Sequence, residues 1–212
     1  MMREFGLRLV GPRCPDGVEL VHRDRSPDFE CRYGRTGRDW FSYQSRRRER
    51  VIREAVDLED ALVIRFVNAT DDNKRIAFLS RFGLPGGILP HWSCEPRNWI
   101  LGEQRVLRTL LDRAGSGDAA EAIKAANKSL RRTGRLSLEP GGRIVWTTES
   151  LMSFMYVETV IAAQNGARLA SCKRCDDLFL TGALTKRRST ATYCRDRCRV
   201  GAHRAKLNCK GD

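Results

Sequence analysis

The feature that most constrains the fold of this chain is a set of four cysteines arranged in two close pairs. Cys172 and Cys175 form a C-x2-C motif, and after 18 further residues Cys194 and Cys198 form a C-x3-C motif. A C-x2-C turn can direct two thiolates at one ion, and cysteines four residues apart share one face of a helix. Structural zinc sites are tetrahedral, and four thiolates are a common ligand set. The spacing therefore predicts one Zn²⁺ per chain, held by these four cysteines.

A redox or disulfide role is the alternative interpretation of the same cysteines. A thioredoxin-like C-x2-C motif requires a βαβ context, which the sequence does not predict, and it leaves Cys194 and Cys198 unexplained. The most apolar stretch, residues 151–163, is too short to span a membrane, and residues 1–10 lack the continuous apolar core of a signal peptide. We therefore expect a cytoplasmic protein without a membrane segment, in which disulfides are rare.

The other cysteines and the nearby histidine give no second metal site. His203 and Cys209 follow Cys198, but a second ion would need further ligands, and the sequence offers none close by. We therefore expect one zinc ion. The remaining cysteines are scattered and are expected to be free thiols: Cys14, Cys31, Cys94 and Cys209.

The positive charge of the chain is concentrated in two segments. Of a formal net charge of +13, residues 168–212 carry a net +8 and residues 32–53 carry a net +6. The rest of the chain is nearly neutral, so the charge indicates binding surfaces for a polyanionic partner. A solvated charged face without a partner is the alternative, particularly for residues 32–53.

The basic residues of the cysteine segment predict a nucleic-acid interface. A helix whose Cys194 and Cys198 face the metal ion directs its arginines away from that ion. Guanidinium groups on such a helix suit phosphate contacts, and the helix could enter a major groove, while the basic loop before it adds backbone contacts. The predicted nucleic-acid-binding residues are Lys186, Arg187, Arg188, Arg195, Arg197, Arg199, His203, Arg204 and Lys206.

The pattern before the cysteines predicts a mainly α fold with minor β-structure. Short apolar alternations predict a possible β-rich start over residues 1–40, and a Pro-Gly-Gly turn predicts a hairpin over residues 135–148. From Trp40 onward the apolar spacing, which includes Ile52, is typical of helices. Glu158, inside the apolar helix, is expected to pair with an arginine or to reach the surface.

Two domains follow from this pattern. Residues 1–166 are expected to form an α-rich domain with short β segments. Residues 167–212 are expected to form a small treble-clef-like four-cysteine zinc finger with a basic C-terminal helix. Between the two cysteine pairs, the runs LFLTG and TATY can form a short hairpin joined by the basic loop LTKRRS.

A series of motifs in the second half of the chain is similar to a known family. The motifs AAEAIKAANKSLRR, RLSLEPGGRIVWTT, RLASCKRCDDLFL, YCRDRC and AHRAK occur in this order. From about residue 121 onward, they resemble the C-terminal half of the CGNR-type zinc-finger proteins (stress-induced transcription regulator-like), bacterial regulators in which an α-rich domain precedes a four-cysteine finger. The resemblance implies that the four cysteines bind zinc and that the following helix contacts DNA. The last two motifs are similarly typical of a broader group of treble-clef fingers.

The sequence favours a zinc-dependent nucleic-acid-binding protein, a bacterial DNA-binding transcription regulator, over three rivals. An RNA-binding or ribosome-associated protein would use the same charge, although DNA is favoured. A protein–protein adaptor should show a contiguous apolar surface on the finger. An enzyme is not expected, because His22, His91 and His203 are the only histidines and no Ser-His-Asp signature, HExxH motif or phosphate loop is present. We predict no catalytic residues, and the sequence does not predict the oligomeric state.

Overall fold

The computed structural model describes most of the chain, and the described residues form helices and strands in mixed order. They are residues 5–22, 39–44, 47, 49–55, 58–85, 94–116, 118–131, 133–139 and 143–208. The strands are β1 (Phe5–Arg13), β2 (Val18–His22), β3 (Asp39–Tyr43), β4 (Glu49–Ala55), β5 (Cys94–Pro96), β6 (Gly134–Leu138), β7 (Ile144–Thr148), β8 (Arg168–Ser171) and β9 (Leu178–Thr181). The helices are α1 (Leu62–Val67), α2 (Asp72–Phe82), α3 (Arg97–Ala114), α4 (Ala120–Leu130), α5 (Leu151–Gln164) and α6 (Asp196–Asn208).

The fold is a mixture of helix and sheet, so the expectation of a mainly α fold with minor β-structure is wrong. Of the described residues, 43% are helical and 28% lie in strands, which form three sheets. Trp40 and Ile52, which the spacing places on a helix, lie in β3 and β4. Ile52 is 67% exposed, so its spacing does not mark a buried helix face. Strand β4 pairs with β1 along seven positions, from Leu7↔Ala55 to Arg13↔Glu49, and this long-range pairing overrides the local pattern.

The main sheet joins the start of the chain to a hairpin far along it. Its strand order is β4-β1-β7-β6, with β1 parallel to β7 and the other neighbours antiparallel. The β6–β7 pairing runs from Gly134↔Thr148 to Leu138↔Ile144, where the sequence predicts a hairpin over 135–148. A second sheet, of order β2-β3-β5, is antiparallel throughout. The first strands are therefore part of the central structure and not a separate small segment.

Helix α5 is the central helix of the fold. It packs against α1, α3, α4 and β1, and its side chains are buried on nearly all sides, as expected of a core helix. Ser150 caps its start by accepting a hydrogen bond of 3.2 Å from the backbone N–H of Ser153. Within the described ranges, no helix is both long enough and apolar enough to cross a membrane.

Glu158, on α5, caps the short helix α1. Its carboxylate accepts hydrogen bonds from the backbone N–H groups of Leu62 (3.0 Å) and Val63 (2.8 Å). Ala61, the N-cap residue of α1, has no side chain that can accept them. Burial raises the pKa of Glu158 to about 7, although the two hydrogen bonds act in the opposite direction. The expectation that Glu158 pairs with an arginine or reaches the surface is wrong, because the start of α1 already uses its carboxylate.

The C-terminal segment 167–208, here called the finger, is packed on the preceding described residues, here called the body. Leu180 of β9 is buried in the core cluster of the body. The Asn68 side chain donates to the carbonyl of Leu178 and accepts from its N–H, both at 2.8 Å. The N–H of Leu58 donates to the carbonyl of Leu184 at 2.8 Å. These contacts join the segments on the two sides of the boundary predicted after residue 166, and the boundary itself stays a prediction.

Candidate metal centre

The first cysteine pair lies at the turn of the β8–β9 hairpin. The strands pair from Arg168↔Thr181 to Ser171↔Leu178, and Cys172 follows directly. The N–H of Asp176 donates to the carbonyl of Cys172 at 2.9 Å, which closes the turn. Asp176 has a φ of 59°, a left-handed conformation that Asp tolerates better than most residues. The tight turn brings Cys172 and Cys175 to one side.

The second cysteine pair lies at the start of α6. Cys194 precedes the helix, which begins at Asp196, and Cys198 lies in its first turn. The N–H of Cys198 donates to the carbonyl of Arg195 at 3.0 Å, so the turn between the two cysteines is closed. The N–H of Lys173 donates to the carbonyl of Thr192 at 3.1 Å. This last bond ties the first cysteine pair to the segment that leads into the second.

The four sulfur atoms form a compact cluster. Cys194 Sγ is 3.5 Å from Cys175 Sγ and 3.6 Å from Cys198 Sγ, and the Sγ atoms of Cys198 and Cys175 are 3.7 Å apart. All four sulfur atoms lie within 4.8 Å of one another. A tetrahedron with metal–sulfur bonds of about 2.3 Å has sulfur atoms about 3.8 Å apart, whereas a disulfide needs about 2.05 Å. The cluster therefore fits a metal ion at its centre and contains no disulfide.

The electrostatics of the cluster differ between its members. Burial acts to raise the pKa of Cys172, but backbone N–H groups of Cys194, Arg174 and Cys175 outweigh it and lower the pKa to about 6. Burial raises the pKa of Cys175 to about 11 and also raises that of Cys194. Neighbouring thiols add to the raised pKa of Cys194. Four thiolates at this spacing therefore require a bound cation, which is what a metal ion supplies.

Few apolar residues surround the cysteines. Cys172, Phe179 and Cys194 form a small buried cluster of their own. The partly buried apolar residues packed on it are Ala170, Ala191, Tyr193 and Cys198. So small an apolar cluster cannot stabilise the finger by burial alone. A metal ion and the docking on the body are the two remaining sources of stability.

The hairpin predicted between the two cysteine pairs is placed differently. The run LFLTG forms β9, but β9 pairs with β8, which precedes Cys172. The run TATY forms no strand. Its residue Thr192 accepts the bond from Lys173 instead. Leu180 of β9 packs in the core cluster of the body. We attribute the pairing of β9 with β8, and not with TATY, to this packing.

Arg174, between the first two cysteines, positions α6. Its Nη1 donates to the carbonyl of Arg197 at 2.9 Å. A Cβ atom at Gly201 would overlap this guanidinium. Glycine has a low helix propensity, but its missing side chain leaves the space that the Arg174 guanidinium occupies. This explains a glycine at position 201, within α6.

Two of the predicted nucleic-acid-binding residues contact the body. Lys186 Nζ lies 2.9 Å from a carboxylate oxygen of Glu59. Arg187 is half-buried; it donates to the carbonyl of Cys194 at 3.1 Å and to that of Glu59 at 3.2 Å. Its guanidinium also lies 6.0 Å from the centre of the Phe179 ring. Both basic residues therefore help to hold the finger on the body.

The other predicted contact residues lie on the surface of the finger. Arg199 is paired with Asp196 at 3.1 Å, in an exposed pair that adds little stability. Lys206 lies in α6, but its side chain is outside the described residues, as are five of the eight arginines of the basic segment 32–53. Apart from Lys186, the exposed residues of the predicted set are Arg188, Arg195, Arg197, Arg199, His203 and Arg204.

No pattern in the sequence indicates the residues that hold the finger on the body. Asn68 and Leu178 pair although 110 positions separate them, and Glu59 meets Lys186 across a similar distance along the chain. Such contacts leave no periodic pattern, so only the three-dimensional fold identifies them. The charge of Lys186 indicated an exposed residue, and nothing in the sequence indicated its carboxylate partner.

Cys14 and Cys94 are the two described cysteines outside the four-cysteine cluster. Cys14 is buried and forms no disulfide bond. Cys94, in β5, is disulfide-bonded, so the expectation of a free thiol there is wrong. The expectations for Cys31 and Cys209 concern positions outside the described residues.

No family model matches this chain, and neither does any curated protein. The similarity to CGNR-type zinc fingers therefore stays a prediction from the motifs. The metal-binding interpretation depends on the four sulfur atoms and their surroundings alone.

Proposed function

We propose that the four cysteines hold one Zn²⁺ and that the chain binds nucleic acid, DNA in preference to RNA, as a transcription regulator. Four sulfur ligands at tetrahedral spacing suit zinc. Cys172, Cys175, Cys194 and Cys198 bind the ion and fix the start of α6 against the hairpin. The ion supplies folding energy and carries out no chemical step, so the protein is not an enzyme in this proposal.

The exposed arginines at the metal centre carry the nucleic-acid part of the proposal. Arg195 and Arg199 belong to the segment that bears Cys194 and Cys198, and both are exposed. The metal therefore fixes the backbone from which these guanidinium groups extend. A rigid basic helix of this kind suits phosphate contacts, whose affinity falls steeply with salt.

The adaptor hypothesis finds little support on the surface of the finger. Among its described residues, the exposed large hydrophobic side chains are Leu184 (39%) and Val200 (44%). They lie on different elements, the loop after β9 and the middle of α6. Isolated apolar residues of this kind are normal on any surface. A polar, basic surface favours nucleic acid over a protein partner.

The test is a salt titration of DNA binding with two matched double variants. Fluorescence anisotropy with a 30-base-pair duplex of random sequence, at several NaCl concentrations, gives the affinity and its salt dependence. We expect Arg195→Gln with Arg199→Gln to weaken binding and to reduce the slope of log K against log salt by about 0.9 for each lost phosphate contact. Zinc content should stay at one per chain.

The control variant removes the same charge elsewhere. Lys124→Gln with Lys128→Gln alters two exposed lysines of α4, away from the finger, and should bind DNA like wild type. If zinc-loaded wild-type protein binds neither DNA nor RNA, the nucleic-acid function is wrong and the adaptor is favoured. If it binds RNA more tightly than DNA, the regulator is replaced by an RNA-binding protein.

A further inference from the structure

Two open clefts meet beside the metal centre and form one groove. The α2 cleft, about 780 Å³, lies between α1 and α2 of the body and β9 of the finger. The loop cleft, about 700 Å³, lies between the loop 186–193 and the start of α6. Glu59, Arg187, Cys194 and Arg195 line both clefts. The basic surface of the finger therefore continues onto the body.

The groove carries an excess of positive charge. Eight Lys or Arg residues and four Asp or Glu residues line it. Several of these charges are paired within the protein: Asp60 with Arg65, Glu59 with Lys186 and Asp196 with Arg199. After these pairs, the basic residues that remain are Lys74, Arg81, Arg187, Arg188 and Arg195.

Helix α2 supplies two of these charges from the body. Lys74 lies near its start and Arg81 in its last turn, and both side chains are exposed. Lys74 Nζ is 3.6 Å from Asp71 in an exposed pair, which a phosphate can replace at little cost. Arg81 lies over the Phe82 ring at 5.3 Å. Seven residues of helix separate Lys74 from Arg81 by about 10 Å, over which one DNA strand presents about three phosphates.

The width of the groove is fixed by contacts between its two walls. The amide of Asn68 joins α1 to β9 through both backbone groups of Leu178. Leu58 bonds to Leu184, and Arg187 bridges Glu59 and Cys194. Asn68, Leu58 and Arg187 themselves line the groove. Its basic residues Lys74, Arg81 and Arg195 are exposed. A ligand therefore meets a preformed surface made by the body and the finger together.

We infer that this groove binds the phosphate backbone of a DNA strand, with Lys74 and Arg81 of the body as phosphate contacts in addition to the finger. The inference rests on the proposed nucleic-acid function and assigns part of that function to the body. The strand passes from α2, across Arg195 at the junction of the two clefts, to Arg188 and Arg199. The finger alone then provides only part of the binding site.

The test compares charge removal on α2 with charge removal elsewhere in the zinc-loaded, full-length protein. Lys74→Gln with Arg81→Gln leaves the cap of α2 intact, because Asp71 accepts from the backbone N–H of residue 74. We expect affinity for the 30-base-pair duplex at about 0.1 M salt to fall on the order of tenfold, and the salt slope to decrease by about 1 to 2. The control Lys124→Gln with Lys128→Gln should leave both unchanged.

Three outcomes separate this inference from the proposed function. If the α2 variant binds like wild type while the Arg195/Arg199 variant binds weakly, the finger contacts DNA and the groove is not the path. If no form of the protein binds nucleic acid, the proposed function is wrong, and so is the inference that the groove binds DNA. Equal weakening of DNA binding by the α2 and α4 variants would show a general charge effect. It would also overturn the inference that the groove binds DNA. A melting temperature unchanged from wild type should accompany each double variant.

Discussion

The body and the finger are stabilised by different means. The body buries large apolar side chains, among them Phe41, Phe66 and Phe154, in one extended core. The local cluster of the finger contains one large apolar residue, Phe179, and two cysteines. Where apolar residues are scarce, ligands around a cation take their place. The comparison indicates that the finger should depend on metal and that the body should not.

The largest effect is expected from breaking the metal centre. Cys194→Ser removes a ligand that is 3.5 Å and 3.6 Å from two others. Since zinc contributes about 10–16 kcal/mol of apparent binding free energy in small fingers, we expect the zinc content to fall from one per chain to near zero. Hydrogen exchange should then show loss of protection around Cys172 and Cys175 and in residues 192–208, while β9 and the body stay protected.

The control for this variant is a cysteine of the body. Cys14 is buried, forms no disulfide bond and lies outside the cluster, and Cys14→Ser should retain one zinc per chain. Protected amides throughout the finger of Cys194→Ser, without metal, would contradict the proposed role of the ion.

An intermediate effect is expected at Glu158, the buried cap of α1. Its pKa is raised from 4.5 to about 7, so the folded state binds this proton more tightly than the unfolded state. The stability contribution is therefore complete below pH 4.5 and is lost as the pH rises through about 7, a change of about 3 kcal/mol. Glu158→Gln should remove this pH dependence. It should also destabilise the body by about 1–3 kcal/mol at pH 5, because the N–H₂ group of the glutamine side chain would face a backbone N–H group, and neither can accept a hydrogen bond from the other.

The measurement is denaturant unfolding between pH 4.5 and 8. Both forms are best compared in the Cys194→Ser background, because metal release at low pH would otherwise add its own pH dependence. Glu121→Gln, at an exposed position of α4, is the matched control. The same pH slope with and without Glu158 would show that its carboxyl group does not titrate in this range.

The smallest effect is expected at Gly201 of the finger. An added Cβ would overlap the guanidinium of Arg174, which is the far end of a flexible side chain. Gly201→Ala should lose the bond from Arg174 to Arg197, about 1 kcal/mol, and gain about 1 kcal/mol of helix propensity. We expect a change in the free energy of unfolding within about 0.5 kcal/mol.

Gly83 of the body provides the contrast. An added Cβ there would overlap the backbone carbonyl of Pro12, and the φ of Gly83 is 90°. Gly83→Ala should therefore cost more than 2 kcal/mol, roughly, because neither backbone can move aside. Equal effects at Gly201 and Gly83 in thermal unfolding would show that Arg174 is held as firmly as a backbone group.

The sequence predicts best the features that depend on residues close together in the chain. A tight turn places Cys172 beside Cys175, and the first turn of a helix places Cys194 beside Cys198, so short-range spacing is enough to propose the site. The apolar periodicity of residues 97–114 likewise predicts α3, and the continuous apolar run within 151–164 predicts α5, because each helix depends on its own backbone hydrogen bonds.

What the sequence fails to predict depends on distant partners. The segment of Ile52 becomes a strand because β1 lies beside it, and β9 pairs with β8 and not with TATY. Glu158 and Asn68 are polar residues whose roles depend on backbone groups of other elements. A pattern of spacing along one segment contains no information about such partners.

The bond pair between Asn68 and Leu178 has a consequence for association between molecules. Strand β9 forms a two-stranded sheet with β8, and an open strand edge is a template for pairing with another chain. The Asn68 amide occupies both backbone groups of Leu178, as a neighbouring strand would. A finger that has lost its metal but remains docked on the body therefore keeps this edge closed to β-aggregation.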